Sequence, residues 1–118
     1  MLTEKDYCDY DTCVALRELG YNAPQRLIPD YFGVFEEPQY DERIHLYDAQ
    51  KWLREEKQIE ANASFDKMED GWIAFIQRLD YPDLCGTDVF STIYNTYESA
   101  LLVSIKEAIE ILKKENND

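Results

Sequence analysis

From Ile59 to Asp66 apolar and polar residues alternate without a break: Ile59, Ala61, Ala63 and Phe65 against Glu60, Asn62, Ser64 and Asp66. Successive side chains of a strand point to opposite faces, so this pattern describes a strand with one dry and one wet side. A one-residue slip would turn every apolar group to water, which fixes the register. A turn rich in Asp and Lys follows and ends at Gly71, a residue able to take positive φ. Trp72-Ile-Ala-Phe-Ile76 is apolar on both alternating faces and reads as a more buried strand. Val89-Phe-Ser-Thr-Ile-Tyr94 has β-favouring composition and reads as a third.

Helical periodicity brackets these strands. Ala49, Trp52, Leu53 and the stem of Glu56 fall at i, i+3, i+4 and i+7, with Lys51, Arg54 and Glu55 on the other side. Tyr97, Leu101, Ile105, Ala108 and Leu112 form a longer stripe, widened by Leu102 and Ile109. Asn95 or Thr96 starts that helix, with Asn95 and Glu98 placed as a capping-box-like pair. Lys113 and Lys114 suit its negative end. The expected fold class is α+β: a three-stranded antiparallel sheet in helix-strand-strand-strand-helix order. Helices at 47–57 and 96–114 lie on one of its faces.

The first 45 residues are less regular. Asp11 is placed to cap a helix of about two turns over Thr12-Cys-Val-Ala-Leu-Arg-Glu-Leu19, which Gly20 ends; Cys13 and Leu16 supply its apolar side. Pro24, Pro29, Gly33 and Pro38 then punctuate aromatic fragments, consistent with either a loose hairpin turning near Gly33 or an irregular arm over one edge of the core. The chain reads as a single domain, 1–118. Residues 1–45 give a short helix and an aromatic, acidic arm, and residues 46–118 an αβββα core.

Charge excludes several classes of function. Twenty-five acids face twelve Lys and Arg, a formal net charge of -13. The imbalance is spread along the chain: residues 1–45 hold ten acids against four bases, and the remainder fifteen against eight. Carboxylates repel phosphate, so direct nucleic-acid binding and an anionic membrane surface are disfavoured. A protein partner, basic in particular, is favoured by complementary potential. Glu36, Glu37, Asp41 and Glu42 form the most acidic portion of the arm and are the candidate protein-interaction residues. Solubility and a solvated loop explain the same charges without any partner. No signal-peptide pattern and no run of about 18 apolar residues is present, and a cytoplasmic location follows as the expectation.

Reaction chemistry has few footholds. Cys8, Cys13 and Cys85 lack metal-site spacing, and His45 is the only histidine, so free thiols in a reducing compartment are expected. Cys85 would act as a nucleophile only if the fold set it beside a base such as His45. Asp66, Asp70 and Gly71 echo a calcium loop but have Met68 and Gln77 where oxygen ligands belong. Trp52 and Trp72 could stack a ligand but serve equally as core residues. No phosphate loop, nucleophile elbow or HExxH is present. The expectation is a non-enzymatic protein without metal or cofactor.

Several segments resemble known families. Asp11-Thr-Cys-Val-Ala-Leu-Arg-Glu-Leu-Gly-Tyr21, Ala49-Gln-Lys-Trp-Leu-Arg-Glu-Glu56, Thr96-Tyr-Glu-Ser-Ala-Leu101 and Ile105-Lys-Glu-Ala108 resemble a family of small uncharacterised proteins encoded by prophages and mobile elements of gut bacteria. This likeness spans most of the chain outside residues 22–44 and implies a genetic setting without a mechanism. Gly71-Trp-Ile-Ala-Phe-Ile76, Pro82-Asp-Leu-Cys-Gly86 and Tyr97-Glu-Ser-Ala-Leu101 are similar to antitoxins of the HicB type. In that family a strand, a Pro-Asp-Leu-Pro-Gly-Cys-like loop and a helix beginning Thr-x-Glu-Glu-Ala follow one another. Here the second proline is missing, Cys and Gly are reversed and several residues precede the helix. The DNA-binding segment usual in that family has no counterpart after the last helix. The element order also resembles double-stranded-RNA-binding domains, whose basic helix start is replaced here by Tyr97-Glu98-Ser99. Acidity on a scaffold lacking reactive groups gives the expectation of a domain that binds another protein, or a second copy of itself through an unprotected strand edge. The charge together with the HicB-like stretch gives the alternative of an antitoxin or nucleic-acid mimic that occupies a basic groove.

Overall fold

Two long helices lie against an antiparallel hairpin, and a shorter helix lies against the second of them. A computed structural model describes residues 6–21, 28–30, 39–41, 43–80, 87–89 and 92–116. In chain order the elements are α1 (Tyr10–Glu18), β1 (Ile28–Asp30), β2 (Gln39–Asp41), α2 (Leu46–Lys57), β3 (Ile59–Asp66), β4 (Gly71–Arg78), β5 (Thr87–Val89) and α3 (Tyr97–Asn116). The class is α+β. β3 and β4 pair over their full lengths, from Ile59 opposite Arg78 to Asp66 opposite Gly71.

The alternation of β3 becomes burial: Ile59, Ala61 and Ala63 are inside, while Phe65 at the far end is half exposed. Opposite them on the same face stand Ile76 and Ala74, also buried. Leu53 of α2 and Leu101, Ile105, Ala108 and Leu112 of α3 close over this face, joined by Leu16 and Cys13 of α1. A satellite of three small residues, Ala63, Ala74 and Ala100, brings the start of α3 close to the hairpin. Burying each large aliphatic side chain contributes about 1.5–3 kcal/mol, so this face dominates the fold's stability.

Helix ends follow the sequence at Gly20 and Thr96 and depart from it at the start of α1. The cap of α1 is Asp9, not Asp11: its carboxylate accepts the Thr12 N–H at 2.9 Å. Gly20 does end the helix, at φ 111°, with its own N–H on Arg17 O and the Tyr21 N–H on Leu16 O. That pair of bonds is the Schellman pattern. The cap of α3 is Thr96, whose Oγ1 accepts the Ser99 N–H at 3.1 Å and lies 2.8 Å from the Ser99 hydroxyl. Asn95 and Glu98 do not play the parts the sequence offered them.

The hairpin turn is held by Asp66, whose Oδ1 accepts the N–H groups of Met68 and Glu69. Positive φ falls on Asp70, at 54°, and not on Gly71. Gly71 is required for space instead: a Cβ there would collide with Ile93 Cγ2 and lie 3.1 Å from Tyr94 O.

A continuous third strand over 89–94 is not shown. Thr87–Val89 runs antiparallel to Phe75–Gln77, and a separate bridge joins Tyr94 to Trp72 through two bonds of 2.8 Å. Between those contacts β4 advances three residues and the other segment five, so one unbroken register cannot serve both. In the arm, Ile28–Asp30 pairs antiparallel with Gln39–Asp41, the hairpin alternative of the sequence reading. Gly33 lies outside the described residues.

Candidate functional site

Six aromatic rings, one each from α2, α3, β3 and β4 and two from the segments leading into α1 and α2, form one unbroken row across the end of the molecule where α2 and α3 begin. Tyr7 meets His45 edge-on at 5.2 Å, and His45 lies 5.0 Å from Tyr47. Tyr47 stacks on Tyr97 at 6.4 Å; Tyr97 meets Trp72 edge-on at 5.3 Å, and Trp72 meets Phe65 likewise at 5.3 Å. Tyr7 and His45 are buried, whereas Tyr47 is 47% exposed and Phe65 46%. Met68, in the adjacent turn, is 95% exposed. The row therefore begins in the core and surfaces on a wet edge.

Local structure explains how each ring is held. His45 caps α2, its Nδ1 accepting the Tyr47 N–H at 3.1 Å, and it also bridges to Tyr7 in antiparallel fashion. Tyr97 opens α3 and donates its hydroxyl to Asn62 Oδ1 at 3.1 Å. Asn62 is a junction: its Oδ1 also takes the Ala63 N–H, and its backbone carbonyl receives the Ser104 hydroxyl. Ser104 is wholly buried on α3, so this bond ties helix to strand in the interior. Ring contacts of this kind contribute about 0.5–1.5 kcal/mol each beyond area burial.

Carboxylates flank the row. Asp48 stands in the first turn of α2 and Glu98 in the first turn of α3, where each also offsets the positive end of its helix dipole. Partial burial, with Glu98, Tyr97 and Asp6 nearby, pushes the Tyr47 phenol upward. An exposed phenol ring edged by negative charge favours a cation above its face.

Of the residues singled out from sequence, His45 and Trp72 fall in this row. Asp41 ends β2 opposite Ile28, while Glu36, Glu37, Glu42 and Cys85 lie outside the described residues. His45 spends Nδ1 on the α2 cap. Trp52 is a packing residue, 5.5 Å from Tyr21 and with Lys57 over its ring. Trp72 belongs to the row. Among the described residues no group of three His, Cys, Asp or Glu could hold a metal ion, and no helix is long and apolar enough to cross a membrane. Sequence reasoning missed Tyr47, Tyr97 and Phe65 as a set. Tyr47 and Tyr97 shared one signal, an aromatic residue in the first turn of a long helix, while Phe65 was visible only as the last apolar residue of the β3 alternation.

Compared with family models, curated proteins and solved structures, the chain matches none.

Proposed function

We propose that this chain is a non-enzymatic protein-interaction domain, of prophage or mobile-element origin, that docks a basic protein partner on its aromatic end. The frame is the β3–β4 hairpin under α2 and α3, with Thr87–Val89 laid beside β4 as the short third strand of an αβββα order. What carries the reading is the Tyr47–Tyr97–Trp72–Phe65 run, exposed at Tyr47 and Phe65 and half-buried between them, with Glu98 and Asp48 in the first turns of the two helices, on a chain of net charge -13. Tyr, Trp and Arg dominate the energetics of protein interfaces, and opposite charge speeds encounter. A stacked arginine satisfies both features at once, whereas a stacked nucleobase would bring phosphate against carboxylates. The acidic arm at Glu36, Glu37, Asp41 and Glu42 is a secondary contact in this reading.

The test is affinity capture from the native host by wild-type protein and by a Tyr47→Ala/Phe65→Ala double variant. Recovery of a basic protein by the first and its loss by the second supports the reading. An identical captured set from both variants removes it. An acidic antitoxin or nucleic-acid mimic is the second reading, and the overall charge favours it. It requires binding that weakens steeply with salt yet survives loss of the two rings. A homodimer built along the strand edge is less favoured, because the β3 backbone already spends Ala61 O on Gln50 Nε2 and Ala63 N–H on Asn62 Oδ1, both at 2.8 Å.

A further inference from the structure

The Asp9 cap places two thiols in a particular relation. With Asp9 as N-cap, Cys8 stands at the position before the cap and Cys13 four residues into the helix. Those are the two positions whose side chains meet when a chain enters a helix under an apolar staple. Here both members are cysteines. Cys8 is 0% exposed and Cys13 1%, and both are free thiols. The Cys13 thiol donates to Cys8 O at 3.7 Å.

The same pair grips one residue of the segment leading into α2. The Cys8 N–H donates to Ile44 O at 2.8 Å, and the Ile44 N–H donates to Cys13 Sγ at 3.3 Å. Arg43 Nε donates to Cys8 O at 3.0 Å. Valine or leucine would fill a staple equally well, and neither could accept the Ile44 N–H. The chemistry available at this point is that of a dithiol.

We propose that Cys8 and Cys13 form an oxidation site: a buried dithiol that closes to an intrachain disulfide in the presence of a two-electron oxidant such as a peroxide. Cys13 is the attacking sulfur. The neighbouring Cys8 thiol lowers it, burial opposes this, and the Ile44 N–H, Arg17 and Arg43 add to the lowering, to about 7. Cys8 is raised by the neighbouring Cys13 sulfur and by burial, so it stays protonated.

In the first step the Cys13 thiolate forms an S–O bond as the peroxide O–O bond breaks, and the departing hydroxide takes a proton to become water. In the second, the Cys8 sulfur attacks Cys13, the S–S bond forms, and the S–O bond breaks. The leaving hydroxide takes the Cys8 proton as a second water. Two electrons leave the sulfurs and reduce one peroxide. Access comes through opening of the Tyr7–His45 bridge, which makes the reaction slower than that of an exposed thiol. Closure takes Cys13 Sγ away from the Ile44 N–H, so oxidation loosens the anchor of the segment preceding α2.

The experiment uses full-length protein carrying Cys85→Ser, so that only the two staple thiols remain. After excess hydrogen peroxide the protein is denatured, alkylated with iodoacetamide and weighed intact. The expected product carries no carboxamidomethyl group and is lighter by about 2 Da, the two hydrogens lost, and dithiothreitol restores both alkylation sites. Adding Cys13→Ser abolishes the loss of mass. Two fully alkylatable thiols after peroxide, or separate oxygen adducts without a link, overturn the proposal. Should Cys85→Ser not fold, cleavage of oxidised wild-type protein before Asp9 and Asp11 reads the same bond. A covalently joined pair of fragments bearing Cys8 and Cys13 supports the proposal, and their separation overturns it.

Discussion

Asp9 shows how much one side chain can organise. Its carboxylate caps α1 through Thr12 and pairs with Lys106 of α3 at 2.7 Å. Burial pushes the carboxyl upward, but the bonds from Lys106 and Thr12 outweigh it and hold the group at about 2, down from 3.8. A depressed carboxyl stabilises the fold above its ordinary value, and that contribution disappears as pH falls from about 4 through about 2. Because the side chain is 41% exposed, water screens the ion pair and the cap accounts for most of the benefit. Asp9→Ala should therefore cost about 1 kcal/mol in urea unfolding at pH 7, and less at pH 2. An equal cost at both values would show that the carboxylate's charge is not involved. Gly71 offers a steric counterpart. Gly71→Ala forces Ile93 and Tyr94 away from the hairpin and should cost about 1–3 kcal/mol, measured the same way.

The elements divide into those that sequence periodicity reveals and those set by partners distant in the chain. β3 was legible because Ile59, Ala61 and Ala63 alternate with polar residues and one face is truly dry. α3 was legible because Leu101, Ile105, Ala108 and Leu112 repeat at helical spacing, and all are buried. Boundaries were less so. Two aspartates compete for the α1 cap, and the choice of Asp9 over Asp11 rests in part on Lys106, ninety-seven residues away. The third strand was overdrawn, since β-favouring composition at 89–94 says nothing of a register mismatch against β4. His45 as a helix cap gave no signal, because imidazole is not among the residues that usually fill that position. Ser104 hid inside the α3 stripe, yet it joins α3 to β3 through Asn62. Ser104→Ala leaves the Asn62 carbonyl without that donor and should lower stability by about 1–2 kcal/mol in denaturant unfolding. No change in the unfolding midpoint would deny the bond any weight.

Assembled, the chain brings the starts of two helices and the turn end of a hairpin to one place. That convergence creates the aromatic row, and no segment of sequence contains it. Its rings come from residues 7, 45, 47, 65, 72 and 97, and only the folded topology joins them. The carboxylates in the first turns have a structural duty toward the helix dipoles, and the same placement sets negative charge beside exposed rings. Guanidinium stacks on aromatic faces better than ammonium does, so the surface should discriminate arginine from lysine where bulk charge would not. Tyr47→Ala should abolish that preference while leaving the weak, salt-sensitive attraction of any basic peptide to a chain of net charge -13. Fluorescence anisotropy with matched arginine-rich and lysine-rich peptides would measure both terms, and equal binding of the two peptides by wild-type protein would refute the preference.

Titration of isotope-labelled protein with the arginine-rich peptide, followed by amide and aromatic NMR shifts, locates the contact itself. The account predicts saturable shifts concentrated at Tyr47, Phe65, the Trp72 indole and Tyr97, with little change at Trp52, which packs on Tyr21 outside the row. Shifts scattered over acidic residues throughout the chain, with those four rings unmoved, would contradict it.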